Sequence, residues 1–166
     1  MWFGVNALAV AEEVKPTLVG HFNSQRLSRG DDVHILSGYY VNLYQIGEKA
    51  FGDANVGVGS TEAASGRLYD VVFDRVSKHL TFSAKFTAGW EFGKGIPPEG
   101  RQFRLLIKFK GIVGPRALTG VVETSDGYGN KTQPKRTRVN IWRIRDTHVP
   151  ASYAHWATIS APPALW

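Results

Sequence analysis

The sequence predicts an all-β protein, an antiparallel up-and-down barrel of eight strands followed by a short C-terminal extension. Three observations support this fold class. Apolar and polar residues alternate in short runs, which is typical of strands with one buried face. Turn residues separate these runs, and no long pattern of helical period interrupts them. Long and short connections also alternate, which predicts a barrel with tight turns at one end and long loops at the other.

The first three predicted strands cover residues 17–24, 38–46 and 50–58. A long connection follows the first strand, and the short sequence GEK follows the second. The third strand is rich in glycine, which marks curvature or a bulge in the strand of a small barrel. Its sequence FGDANVGVGS lacks the lysine and the following helix of a phosphate-binding loop, so we interpret it as a strand.

The fourth and fifth predicted strands, residues 67–74 and 79–87, form a hairpin. Every second residue from Leu80 to Phe86 is apolar, and the residues between them are polar or charged. Tyr69, Val71 and Phe73 give the fourth strand a similar period of two. The sequence DRVSK between the two runs supplies the polar residues of a hairpin loop.

The last three predicted strands cover residues 102–110, 116–124 and 136–145. Charge is concentrated here, because residues 101–145 carry eleven basic and two acidic side chains, a net charge of +9, whereas residues 1–100 carry a net charge of −2. This imbalance favours an anionic ligand, an acidic surface or a nucleic acid as partner. It is equally typical of a solvated basic face.

The sequence resembles the lipocalin and calycin barrels. Their first strand carries a glycine, any residue and a tryptophan, and Gly20 to Phe22 match this motif with phenylalanine in place of tryptophan. Those barrels place an arginine of the last strand over the aromatic ring, and Arg138 or Arg143 is suited to that position. The resemblance implies a barrel that binds a small molecule. The sequence PASYAHWATISAPPALW then forms either a short helix packed on the barrel or an extended tail.

Residues 17–145 are the predicted barrel domain, between an N-terminal segment (1–16) and a C-terminal extension (146–166). The N-terminal segment is similar to the end of a secretory signal but lacks a basic region, so periplasmic or secreted and cytoplasmic locations both stay open. The chain contains no cysteine, which excludes disulfides. We expect a soluble protein, because no apolar run approaches the roughly 18 residues of a membrane-spanning helix.

In an up-and-down barrel the ends of odd strands and the starts of even strands line the open mouth. Several aromatic side chains and arginines are predicted there, as in a small-molecule pocket. Any single one of these aromatic residues could instead belong to the core. The predicted ligand-binding residues are Tyr39, Arg67, Tyr69, Phe82, Phe86, Trp90, Phe103, Arg104, Leu105, Val122 and Arg138.

The favoured function is the non-catalytic binding of a small hydrophobic molecule that can carry an anionic end. No metal or other cofactor is expected, because the five histidines lack metal-ligand spacing. One alternative is an isomerase or cyclase that uses Tyr69, His34 or an arginine of the mouth. A second alternative is a binder of nucleic acid or an acidic surface, although the common single-strand-binding barrel has five strands. The oligomeric state stays open.

Overall fold

The structure, a computed structural model, describes residues 14–29, 34–59, 61–129 and 133–166. Most of the predicted N-terminal segment, residues 1–13, lies outside these ranges. Within them the chain forms nine β-strands and one short α-helix. The elements are β1 (Thr17–Asn23), β2 (Arg26–Arg29), β3 (His34–Ile46), β4 (Lys49–Val58), β5 (Ala63–Phe73), β6 (His79–Glu91), β7 (Arg101–Val113), β8 (Ala117–Asp126), β9 (Lys135–Arg143) and α1 (Tyr153–Ile159).

The strands form a closed antiparallel barrel. Each strand from β3 to β8 pairs with the next one along the chain. The barrel closes through β1, which pairs with β3 along its whole length and with β9 at Phe22 and Asn23. The short strand β2 pairs with the first residues of β3, beyond the end of β1. Eight strands therefore make the barrel wall, and the predicted fold class is confirmed.

One described strand was not predicted from the sequence. Strand β2 falls within the predicted long connection after the first strand. All four of its residues, from Arg26 to Arg29, are exposed. It therefore has no buried face, and the alternation that identifies the other strands is absent from it.

The connections are distributed between the two ends almost as predicted. The closed end carries the connections 47–48, 74–78 and 114–116, and the open end carries 59–62, 92–100 and 127–134. The strict alternation of long and short connections is wrong at 59–62. Strand β5 begins at Ala63, four residues earlier than predicted, and shortens that connection to four residues.

The middle of the barrel is occupied by a contiguous cluster of buried side chains. The rings of Phe82 and Phe109 stack at its centre with their centroids 5.0 Å apart. Gly111 and Gly120 make room for the Phe109 ring, because a Cβ atom at either position would overlap it. A barrel of eight strands is just wide enough for side chains to fill it.

Arg143 and Phe22 close the lower end of this core. The Arg143 guanidinium lies 4.7 Å from the centroid of the Phe22 ring. It donates hydrogen bonds to the backbone carbonyls of Val19, Gly114 and Pro115 at 2.9, 3.2 and 3.1 Å. Burial lowers the pKa of this guanidinium. This is the contact between a last-strand arginine and a first-strand aromatic ring that the resemblance implied, and Arg143 makes it.

The C-terminal segment, residues 146–166, crosses the outer wall of the barrel. Ser152 caps α1, and its hydroxyl oxygen accepts a hydrogen bond from the His155 backbone amide at 3.0 Å. Trp156 of the helix is buried against Tyr44 and Phe51. Both predicted forms of this segment occur, because α1 ends at Ile159 and an extended stretch follows. Among the described residues, no helix is long and apolar enough to span a membrane.

Candidate functional site

A depression at the open end of the barrel, here called the mouth pocket, has a volume of about 510 Å³. It lies between the connection 59–62, the upper part of β5, and the facing ends of β6 and β7. Its apolar wall is formed by Val58, Ala64, Ala88, Trp90 and Phe103. Trp90 is 66% exposed, so most of its surface is free to contact a bound molecule.

A second depression, here called the side groove, adjoins the mouth pocket on the outside of the barrel. Ser65 and Thr87 line both depressions. The side groove has a volume of about 800 Å³ and runs along the last six residues of the chain, 161–166. Its barrel side carries the cations Lys85 and Arg104. A pocket with both apolar and polar walls, the polar part including Thr61 and Glu62, therefore continues into a groove that carries positive charge.

Aromatic rings contact the two arginines beside the side groove, Arg101 and Arg104. The Arg104 guanidinium lies 4.8 Å from the Tyr128 ring centroid and 5.5 Å from the Trp166 ring centroid. Arg101 lies over the same Tyr128 ring at 4.1 Å and forms an ion pair with Glu91 at 2.5 Å. Arg104 Nε is buried and has no hydrogen-bond partner among the described residues. The Arg104 side chain also lines the side groove.

The C-terminal segment is fastened to the outer side of β3–β6, which we call the covered wall. The ring nitrogens of His21 on β1 lie 2.6 Å from Asn42 Oδ1 and 2.8 Å from the His148 carbonyl oxygen. Asp53 accepts hydrogen bonds from Asn42 Nδ2 at 2.7 Å and from Trp156 Nε1 at 2.8 Å. These contacts form a continuous polar chain between the barrel and the segment.

Further along the covered wall, Arg67 donates hydrogen bonds to the carbonyl oxygens of Ala157 and Ala161. Lys85 donates to the Trp166 carbonyl oxygen, and Trp166 Nε1 donates to Thr87 Oγ1 at 2.9 Å. The far end of the segment is thus fixed beside the side groove. It forms one wall of that groove and limits what can enter it.

The predicted ligand-binding residues are divided among several places. Trp90 and Phe103 line the mouth pocket, and Arg104 lines the side groove. Arg67 and Tyr69 lie on the outside, where they line a smaller depression beside α1. Arg138 is exposed on β9. The remaining predicted residues belong to the core or pack against it: Tyr39, Phe82, Phe86, Leu105 and Val122. Their role in ligand binding stays a prediction.

The prediction that Tyr69 points into the barrel is wrong. Its neighbour Leu68 belongs to the core, whereas Tyr69 faces Lys85 on the outside, with the Lys85 ammonium 5.7 Å from the ring centroid. A bulge follows, in which Asp70 has a φ of 51°. The extra residue reverses the alternation, so that Val71 and Phe73 pack against the core. Burial and the charge of Asp70 raise the pKa of the Tyr69 phenol.

Of the residues suggested for the enzyme alternative, Tyr69 and Arg67 line one depression, and His34 does not line it. His34 is exposed at the start of β3, on the open end. Tyr69 is on the outer wall of β5, beside α1. An arginine of the mouth edge, Arg104, contacts Tyr128 and Trp166. These three side chains do not form one catalytic cluster.

Sequence reasoning missed the residues that hold the C-terminal segment. Asp53 and His21 sit on strands whose outer face would ordinarily be solvated, and their partners in the segment are 103 and 127 residues away along the chain. The one available signal was the row of aromatic residues in the extension, Tyr153, Trp156 and Trp166. An apolar ring in a terminal segment needs a surface to cover, and the covered wall supplies it.

Comparison of the chain with protein-family models, with curated proteins and with solved structures finds no significant match.

Proposed function

We propose that this protein is a calycin-like barrel that binds a small, largely apolar molecule with an anionic end, and that it does so without catalysis. The observation that carries the proposal is the continuity of the mouth pocket with the side groove through Ser65 and Thr87. The apolar part of the ligand packs against Val58, Trp90 and Phe103. Its anionic group reaches Arg104.

The size and chemistry of the two depressions support this assignment. Small-molecule sites have volumes of about 300–1,000 Å³, with mostly apolar walls and a few well-placed polar groups. The mouth pocket falls within that range at about 510 Å³. The guanidinium of Arg104, which lines the side groove, suits a carboxylate, sulfate or phosphate oxygen, because guanidinium groups bind such oxygens in charge-assisted hydrogen bonds.

The contact of Arg143 with Phe22 supports the calycin-like part of the proposal. A Cβ atom at Gly20 would overlap both Arg143 Nη1 and the Phe22 ring, so a larger residue there would displace this contact. Glycine, aromatic ring and arginine thus act as one unit. The ligand site differs from a deep barrel cavity, since the core cluster occupies the middle of the barrel and leaves the mouth and the side groove for the ligand.

The experiment is calorimetric titration with decanoate and with decanol, which share an alkyl chain and differ in the charged end. Arg104→Gln should weaken decanoate binding roughly tenfold to a hundredfold, the effect expected for a lost charge-assisted hydrogen bond, and leave decanol binding nearly unchanged. Phe103→Ala should weaken both ligands by roughly tenfold, and Trp142→Ala on the opposite end is the aromatic control.

Unfolding by urea is measured for each of these variants. The proposal requires that Phe103→Ala reduces affinity more than it reduces the free energy of unfolding. Equal losses of binding and stability would show Phe103 to be a core residue only. Equal effects of Arg104→Gln on decanoate and decanol would remove Arg104 from the ligand site.

A further inference from the structure

The outward side chains of β7–β9 form a second surface, which we call the basic face. Antiparallel pairing places Lys108, Glu123 and Arg136 in one row, and Lys110, Val121 and Arg138 in the next. Toward the closed end follow the row of Ile112, Thr119 and Asn140 and then Trp142 beside Ala117. This surface is separate from the mouth pocket.

Charge on the basic face is strongly one-sided. Lys108, Lys110, Arg136 and Arg138 are all exposed, and Glu123 is the acidic side chain among them. Glu123 pairs with Arg136 at 2.9 Å. The two lysines and Arg138 therefore stay available to an external anion. Neighbouring strands are about 4.8 Å apart and alternate residues about 6.7 Å apart, so these cations lie close together on the outside of the barrel.

Exposed apolar side chains lie within the same surface. Val121 is 37% exposed between Lys110 and Arg138, Ile112 is 47% exposed and Trp142 is 53% exposed. Cations next to exposed aliphatic and aromatic side chains are typical of surfaces that lie on an anionic membrane, where tryptophan sits at the headgroup level. The apolar residues enter the interface while lysine and arginine contact the headgroups.

The same residues fit a nucleic acid less well. Single-stranded nucleic acids are bound by aromatic rings that stack on bases beside the cations. Trp142 lies four residues beyond Arg138 on the same strand, about 13 Å away. The side chain that does lie between Lys110 and Arg138 is the aliphatic Val121. We infer that the basic face docks the protein on an anionic lipid surface, independently of the small-molecule site.

The test is co-sedimentation with vesicles of phosphatidylcholine alone and with about 30% phosphatidylglycerol. We expect binding only to the anionic vesicles, and weaker binding at higher salt, because exposed charges are screened. Lys110→Glu with Arg138→Glu should weaken binding at least about 25-fold, since each lysine or arginine near the surface contributes roughly fivefold. Arg26→Glu with Arg29→Glu, on the exposed strand β2, makes the same charge change at another site and should have a much smaller effect.

Trp142→Ala tests the apolar component, with Phe92→Ala as an exposed aromatic control at the open end. The inference requires that Trp142→Ala reduces vesicle binding several-fold while Phe92→Ala leaves it unchanged. The inference would be overturned if the two charge-reversed variants lost vesicle binding equally, or if the two aromatic substitutions had equal effects on it. Absence of binding to anionic vesicles would also overturn the inference. Binding of a single-stranded oligonucleotide in place of vesicles would overturn it and assign the face to nucleic acid.

Discussion

The covered wall and the basic face are two parts of the same barrel exterior, with opposite surroundings. Outward side chains of β3 and β4 include Tyr44, Phe51 and Asp53, which contact the C-terminal segment. Outward side chains of β7 and β9 include Lys110 and Arg138, which are exposed. The two regions differ in these side chains and in a segment of 21 residues, 146–166, that lies on the covered wall.

The difference between the two regions separates the part of the exterior that stabilises the fold from the part that we propose recognises a partner. On the covered wall, polar groups are paired with one another and rings are buried, so a substitution removes native contacts. On the basic face the outward side chains are mostly cations that contact solvent, so a substitution changes mainly the surface charge. The same type of substitution made once in each region therefore distinguishes a loss of stability from a change in surface charge.

The largest expected difference is between two tryptophans. Trp156 is 3% exposed, its ring centroid lies 5.0 Å from that of Phe51, and its indole N–H donates to Asp53. Trp156→Ala should lower the free energy of unfolding by about 3–5 kcal/mol, whereas the exposed Trp142→Ala should change it by less than about 0.5 kcal/mol. Urea unfolding followed by circular dichroism measures both. Similar small losses would mean that the segment is not held on the wall.

A second comparison concerns two acidic residues. Asp53 accepts hydrogen bonds from Asn42 and Trp156 in a part-buried site, whereas Glu123 pairs with the exposed Arg136. Asp53→Ala should cost about 1–3 kcal/mol of unfolding free energy, because it leaves two donors without a partner. Glu123→Ala should cost between about 0 and 1 kcal/mol, as exposed ion pairs do. A larger loss for Glu123→Ala would reverse the assignment of the two regions.

The sequence predicted the barrel because strand alternation and hairpin turns are local properties. The resemblance at Gly20 to Phe22 also implied an arginine, Arg138 or Arg143, packed over the aromatic ring, and Arg143 makes that contact. The orientation of Tyr69 could not be predicted, because the bulge at Asp70 depends on a positive φ that aspartate tolerates and the sequence does not mark. The mouth pocket was predicted only in part, through Trp90 and Phe103.

The side groove could not be predicted at all. One of its walls is residues 161–166, and their position depends on Arg67, Lys85 and Thr87, which lie some 80 to 95 residues away along the chain. Strand periodicity contains no information about such distant contacts. How far side chains fill a barrel is likewise set by packing in three dimensions, as the Phe109 ring between Gly111 and Gly120 illustrates.

The covered wall should also have a smaller effect on the free energy of unfolding, which appears at alkaline pH. Burial raises the pKa of the Tyr44 phenol, and the charges of Asp53, Tyr40 and Asp146 raise it further. In the unfolded chain a tyrosine ionises near pH 10. The contribution of Tyr44 to stability is therefore fully present below about pH 10 and is lost as the pH rises above it.

Tyr44→Phe removes this ionisation. The free energy of unfolding of the variant, measured in urea between about pH 9 and pH 11.5, should fall less steeply than that of the wild type. Identical slopes would show that the Tyr44 phenol ionises equally easily in the folded and unfolded chain. That outcome would contradict its burial beneath the C-terminal segment.

The central claim, binding of a small amphipathic anion at the mouth, is tested most directly by native mass spectrometry of the freshly purified protein followed by organic extraction. We predict a stoichiometric anionic or lipophilic adduct that is released when the barrel unfolds and is reduced in Phe103→Ala and Arg104→Gln. A mass equal to that of the bare chain, unchanged after incubation with decanoate and with lipid and metabolite extracts, would contradict the claim.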